Sequence, residues 1–110
     1  MIKRNLYLPP LVHEQLVRLL SAQSAVERVV LFGSRARGDA EERSDIDLSI
    51  EAPGALQRQW LEILFRLEEI DTLLPIHAVR WEEASDVLKR RIQVEGRVLY
   101  ERSTSSPKRS

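Results

Sequence analysis

Two short segments contain the residues whose types and spacing could do chemistry. Gly33 and Ser34 follow the apolar run 29–32, and Asp45 and Asp47 come after a spacer of ten residues. A Gly-Ser turn after a buried strand lets the backbone approach phosphate, and the free N–H groups of a following helical turn attract anions. Carboxylate oxygens are the ligands that Mg²⁺ and Mn²⁺ prefer. Together the segments predict a site for a nucleoside triphosphate and a divalent cation.

Apolar and polar residues alternate around the two aspartates, as in a half-buried strand. Ile46 and Leu48 would lie on one face of that strand, and Asp45 and Asp47 on the other, so both carboxylates point the same way. Two carboxylates so close repel each other unless a cation lies between them. The structural alternative is an ordinary solvated strand face beside an unrelated turn.

The two segments resemble the motif of the nucleotidyltransferase superfamily that includes DNA polymerase β and kanamycin nucleotidyltransferase. That motif is a Gly-Ser turn, a spacer of about this length, and then Asp-x-Asp. Residues 32–38 and 44–48 look like those of the small stand-alone proteins called minimal nucleotidyltransferases. The likeness extends loosely from about Leu11 to Glu101.

The resemblance implies roles for these residues. Asp45 and Asp47 would be catalytic residues that hold two metal ions, Mg²⁺ or Mn²⁺. Gly33 and Ser34 would cradle the β- and γ-phosphates of ATP, while an acceptor hydroxyl attacks the α-phosphate and pyrophosphate leaves.

Two arginines follow the Gly-Ser turn. Arg35 and Arg37 could each contact the triphosphate or pair with the acidic loop 39–42. Exposed salt bridges of that kind contribute little stability. Of the two, Arg35 is the one for which we predict a phosphate-binding role.

The third predicted strand departs from the superfamily pattern. Its members usually carry a third acidic residue there, which helps to bind the catalytic metal and can accept the proton of the attacking hydroxyl. When the segment is aligned on Pro75 and Val79, that position holds His77, and Arg80 replaces a second acid. Histidine can act as a general base near neutral pH but is a poor Mg²⁺ ligand. His77 is thus the candidate catalytic base, and the alternative is a strand histidine bonded to a neighbouring carboxylate.

The histidine leaves two functions open. One is a Mg²⁺-dependent nucleotidyltransferase that transfers AMP from ATP to a hydroxyl of a partner protein. The other is a catalytically weakened nucleotide-binding module that neutralises its partner by binding alone. Minimal nucleotidyltransferases are often found with a separate helical HEPN protein, and in such pairs they act as the antitoxin that transfers AMP to the HEPN ribonuclease. The resemblance therefore implies a HEPN-type partner.

Size and composition narrow the class of protein further. We expect a chain of 110 residues to make one domain, with no segment left to build an acceptor pocket. Modification of a small molecule such as an aminoglycoside is therefore disfavoured, unless a homodimer supplies the pocket. With 17 basic and 17 acidic residues, no net field attracts nucleic acid, which is disfavoured as a direct ligand. Cysteine is absent and no apolar stretch is long enough for a signal or a membrane span, so we expect a cytoplasmic protein. Homo- and hetero-oligomers both stay open.

The overall pattern predicts an α/β (α+β) fold, a small mixed sheet of three to four strands flanked by helices, and the resemblance implies the palm-like fold of polymerase β. Helices are predicted over 10–21, 55–70 and 83–94, and strands over 26–32, 45–50, 76–81 and 98–100. The domain would cover residues 1–101, followed by a disordered polar and basic tail at 102–110.

The helical patterns also predict core residues. The clearest apolar stripe contains Leu56, Trp60, Ile63, Leu64, Leu67 and Ile70. An aromatic residue in such a stripe is usually core, so Trp60 is expected to pack inside rather than to stack on a base. In the last helix, Val87, Leu88 and Ile92 are expected to face inward, and Gly96 to end the helix.

Overall fold

The computed structural model describes residues 7–102. Its helices and strands are α1 (Pro10–Ser21), β1 (Arg28–Phe32), α2 (Ser34–Arg37), β2 (Ile46–Glu51), α3 (Gln57–Leu67), β3 (Ile76–Arg80), a 3₁₀ turn (Trp81–Glu83), α4 (Asp86–Glu95) and β4 (Arg97–Glu101). The predicted class, a mixed sheet flanked by helices, is confirmed, and each predicted helix and strand is present with ends shifted by a few residues.

The four strands form one mixed sheet in the order β3-β2-β1-β4. Strand β1 pairs antiparallel with both β2 and β4, whereas β3 runs parallel to β2. The register places Phe32 opposite Asp47 on one side and His77 opposite Asp47 on the other. The end of β1, the start of β2 and the start of β3 therefore meet at one edge of the sheet.

One face of the sheet carries the hydrophobic core. The predicted alternation in β2 is confirmed, since Ile46, Leu48 and Ile50 are fully buried. They form one cluster with the buried residues of β1, α1 and α3, which are Val29, Leu31, Val12, Leu16, Leu20, Trp60, Ile63 and Leu67. Because these side chains lie on one face, the aspartates are left on the other.

Helix α4 covers part of that other face near its own C-terminus. Ile92 is the buried residue of α4. Gly96 ends the helix, as predicted, and its N–H donates to the Ile92 carbonyl over 2.8 Å. A Cβ atom at Gly96 would overlap that carbonyl oxygen and the side chain of Val30. The glycine therefore lets the end of α4 lie directly against β1.

Two predicted core positions are wrong. Leu56 is 58% exposed, because it caps the N-terminus of α3 and precedes the buried stripe. Val87 is 79% exposed, because it lies in the first turn of α4, whereas the helix reaches the sheet only near Ile92. The prediction for Trp60 is confirmed, since its ring belongs to the core cluster.

Two arginines join segments of the fold. Arg80 donates from one terminal nitrogen to the carbonyls of Ala52 and Ala55, so it ties the end of β3 to the segment between β2 and α3. Arg102 donates to the carbonyls of Val26 and Gln23. The predicted tail begins at residue 102, but Arg102 is hydrogen-bonded to the folded domain. The remaining residues of that tail, 103–110, lie outside the described residues. Within residues 7–102, no helix is long and apolar enough to cross a membrane.

Candidate active site

The turn between β1 and α2 depends on Gly33. Its φ of 80° and ψ of −161° lie in a region that is essentially restricted to glycine. A Cβ atom there would also overlap a carboxylate oxygen of Asp47. Both facts require glycine at this position, and they place the predicted phosphate-binding turn, with Ser34 as the first residue of α2, directly against one of the predicted metal ligands.

The two aspartates lie at the start of β2. Asp45 immediately precedes β2, and its side chain is 50% exposed. Asp47 is the second residue of β2. Burial raises the pKa of the Asp47 carboxyl, a protonated His77 would lower it, and the charge of Asp45 raises it. Asp47 is thus held where its negative charge is incompletely compensated.

His77 lies where the sequence alignment predicted, on the strand beside Asp-x-Asp, in register with Asp47. Its Nε2 is 3.0 Å from Oδ2 of Asp45. Because an ionised carboxylate only accepts hydrogen bonds, Nε2 carries the hydrogen and donates it. The histidine therefore contacts the first aspartate directly, and its Nδ1 is left available.

The donor set fits a magnesium ion. Mg²⁺ commonly takes one or two carboxylates from a protein and completes its shell with water and substrate phosphate oxygens. Asp45 and Asp47 supply two carboxylates on one face, and the raised pKa of Asp47 reflects a charge that a cation would stabilise. In the part of the chain that the structure describes, no group of three or more His, Cys, Asp or Glu side chains is placed to hold a metal ion.

The family model "Polymerase beta, Nucleotidyltransferase" matches residues 14–105, which includes the Gly-Ser turn, both aspartates and His77. The chain belongs to the polymerase β nucleotidyltransferase family. No curated protein matches the sequence.

Several solved structures are similar to this chain. A chain of a toxin-antitoxin structure with AMP-PNP has a TM-score of 0.67 and 25% identity, with 82% of this chain and 73% of that chain covered. A chain of the tri-AMPylated HEPN toxin in complex with the MNT antitoxin, from Shewanella oneidensis, has a TM-score of 0.63 and 23% identity, with 84% and 72% covered. A chain of the toxin-antitoxin MntA-HepT has a TM-score of 0.63 and 23% identity, with 86% and 74% covered.

Arg35 has a buried side chain, and the residue is only 6% exposed. Its guanidinium donates to the carbonyls of Glu42 and Ser44, each over 2.9 Å, and to that of Tyr7 over 3.3 Å. These bonds hold the loop that leads into Asp45. This geometry does not support the predicted phosphate contact of Arg35, because the guanidinium is directed toward backbone carbonyls. The alternative prediction was pairing with the acidic loop 39–42, and Arg35 contacts that loop through the Glu42 carbonyl.

Sequence reasoning missed Glu95, the last residue of α4. Its Oε1 accepts a hydrogen bond from the Gly33 N–H over 2.8 Å and another from Arg37 over 3.1 Å. Arg91 lies one turn earlier, with Nε 3.5 Å from Oε2. The i,i+4 pair of Arg91 and Glu95 is visible in the sequence. Its approach to Gly33 is not, because 62 residues separate Glu95 from that turn.

Proposed function

We propose that this chain is a Mg²⁺-dependent nucleotidyltransferase that transfers AMP from ATP to a hydroxyl of a partner protein, as the antitoxin of a HEPN pair. The observation that carries the proposal is the contact between the Gly33 turn and the Asp47 carboxylate, with Asp45 on the same face. This contact joins a phosphate-binding turn to a carboxylate pair. Similar chains come from a toxin-antitoxin structure with AMP-PNP and from a complex with a tri-AMPylated HEPN toxin, which supports both the nucleotide and the partner.

Each group at the site has a role in binding. The Gly33 N–H and the Ser34 hydroxyl would donate to phosphate oxygens of ATP. Asp45 and Asp47 would hold the metal, which when bound neutralises charge on the phosphates. The aspartates must be ionised for this, and a bound cation would favour the ionised form of Asp47, whose pKa is raised by burial.

The reaction is a substitution at the α-phosphorus. The acceptor oxygen forms a bond to that phosphorus as the bond to the bridging oxygen of pyrophosphate breaks, and the electron pair leaves with pyrophosphate. The hydroxyl proton needs an acceptor. His77 can take it at Nδ1, because Nε2 already donates to Asp45, whose negative charge stabilises the imidazolium that forms.

A second candidate is a nucleotide-binding module that neutralises its partner by occlusion. It is favoured by one observation, namely that His77 stands beside Asp47 where the superfamily carries a third acid. The two functions differ in one respect: occlusion needs neither aspartate, whereas transfer needs both.

Label transfer tests the proposal. Purified chain and its HEPN-type partner are incubated with Mg²⁺ and ATP labelled at either the α- or the γ-phosphate. Transfer of AMP predicts label on the partner from α-labelled ATP only, lost in Asp45→Asn and Asp47→Asn. The exposed Asp71, outside the site, provides the matched control Asp71→Asn, which should transfer normally. If no label is transferred and all three variants still neutralise the partner, the chain acts as a binding module and not as an enzyme.

A further inference from the structure

The backbone donor of the predicted phosphate-binding turn already has an anionic partner within the chain. The Gly33 N–H donates to Glu95 Oε1 over 2.8 Å, and the Glu95 side chain is only 14% exposed. A carboxylate and a phosphate accept the same hydrogen bonds from N–H groups. A phosphate oxygen that binds this N–H must therefore displace Glu95.

Two arginines converge on the same carboxylate. Arg37 donates to Oε1 of Glu95 over 3.1 Å and also pairs with Asp39, and Arg91 contacts Oε2 from the preceding turn of α4. Both guanidinium groups are therefore engaged by the same carboxylate that occupies the Gly33 N–H.

Glu95 is unfavourably placed as a helix residue. It is the last residue of α4, where the helix dipole presents partial negative charge and disfavours a carboxylate. The bonds from Gly33, Arg37 and Arg91 offset that cost. If a phosphate took over these donors, the Glu95 side chain could turn into solvent, away from its own helix end.

We propose that Arg37 and Arg91 are triphosphate-binding residues and that Glu95 is a resident anion which ATP displaces from them and from the Gly33 N–H. This inference rests on the proposed function, since it assumes that the triphosphate binds at this turn. Glu95 then lowers the affinity for triphosphate, and its release provides two guanidinium groups to the phosphates. The arginines are on α2 and α4, so the bound triphosphate joins the two helices.

The Glu95 half of the proposal is tested with graded substitutions. Glu95→Gln keeps an oxygen for the Gly33 N–H but removes the charge that pairs with the arginines, and Glu95→Ala removes both. Calorimetry with Mg²⁺ and ATP, and with inorganic tripolyphosphate, should show binding at least about fivefold tighter in Glu95→Ala, with Glu95→Gln between it and the wild type. Binding of adenosine, which has no phosphate, should not change.

A matched control is available on α3. Glu62 pairs with Arg66 at the same i,i+4 spacing on an exposed helix surface, so Glu62→Gln removes an equivalent charge outside the site. It should leave triphosphate affinity unchanged. If Glu95→Gln and Glu95→Ala bind ATP no more tightly than the wild type, while urea unfolding shows them folded, Glu95 is a structural contact and the proposal is overturned.

The arginine half is tested with Arg91→Ala and Arg37→Ala. Each should weaken ATP and tripolyphosphate binding at least about threefold, whereas Arg66→Ala, on α3, should not. Unchanged affinity in both arginine variants would overturn this half. Failure of the proposed function gives a different result. In that case the folded wild type and the Glu95 variants would all bind no ATP in the presence of Mg²⁺, which would show that the turn is not a nucleotide site.

Discussion

His77 Nε2 lies 3.0 Å from Asp45 Oδ2, so the residue that stands where the superfamily has a third acid is bonded to the first acid of Asp-x-Asp. The register of β2 and β3 also places His77 opposite Asp47. The site thus has two carboxylates and an imidazole where its relatives usually have three carboxylates. Whether the chain transfers AMP or only binds nucleotide depends on whether this imidazole can replace the third carboxylate.

Replacing His77 by aspartate should strengthen metal binding. His77→Asp adds a third carboxylate beside Asp45 and Asp47, and we expect at least about tenfold tighter Mg²⁺ binding in the presence of ATP. Without metal, the added like charge should lower the free energy of unfolding. Magnesium titration and urea unfolding measure the two effects. His77→Asn, similar in size but uncharged, is the control, and equal Mg²⁺ affinity in the two variants would contradict the prediction.

Replacing Gly33 by alanine should disturb both the fold and the site. The strained backbone at φ 80° costs about 1–3 kcal/mol for a residue with a Cβ atom, and that atom also overlaps Asp47. Gly38 also has a positive φ, 87°, but it lies in the left-handed helical region with open space around it, so Gly38→Ala is a milder backbone control without the overlap. We expect Gly33→Ala to lose ATP binding and Gly38→Ala to keep it. Equal loss of binding in both would show that the Asp47 contact is unimportant.

Replacing Arg35 should affect stability rather than nucleotide affinity. Its guanidinium is buried and bonded to three carbonyls, so Arg35→Ala should lower the free energy of unfolding by about 1.5–3 kcal/mol. The control is Arg18→Ala, since the Arg18 side chain is 73% exposed, and it should change the free energy of unfolding by less than about 0.5 kcal/mol. Urea unfolding and ATP calorimetry distinguish the two roles. A folded Arg35→Ala protein with weakened ATP binding would restore the phosphate contact.

The raised pKa of Asp47 predicts a pH-dependent stability difference. A carboxyl group whose pKa is raised on folding favours the folded state in its protonated form, and that contribution is lost as the pH rises through the folded pKa. In metal-free protein, Asp47→Asn should therefore gain stability relative to the wild type between pH 4 and pH 7. Urea unfolding at the two pH values measures this, with Asp71→Asn as control. If the stability advantage of Asp47→Asn over the wild type became smaller from pH 4 to pH 7, the raised pKa of Asp47 would be contradicted.

Local patterns predicted much of this fold because they depend on neighbours in the sequence. The alternation around Asp45 and Asp47 gave the correct strand and the correct faces, and the alignment on Pro75 and Val79 placed His77 beside Asp47. Periodicity does not show where a helix leaves the core, which is why the expected burial of Leu56 and Val87 was wrong.

Long-range contacts set the parts of the site that sequence reasoning did not reach. Arg35 is buried because the loop before Asp45 folds back over α2. Glu95 reaches Gly33 because Gly96 lets α4 end against β1. Neither packing arrangement has a local signal, since each depends on how helices lie on the finished sheet.

Calorimetric titration of ATP with and without Mg²⁺, on the wild type and on Asp47→Asn, tests the central claim most directly. The contact of the Gly33 turn with Asp47 predicts that the wild type binds ATP more tightly when Mg²⁺ is present and that Asp47→Asn loses this dependence. Binding that does not respond to Mg²⁺, or an Asp47→Asn variant that responds as the wild type does, would contradict a joint nucleotide and metal site.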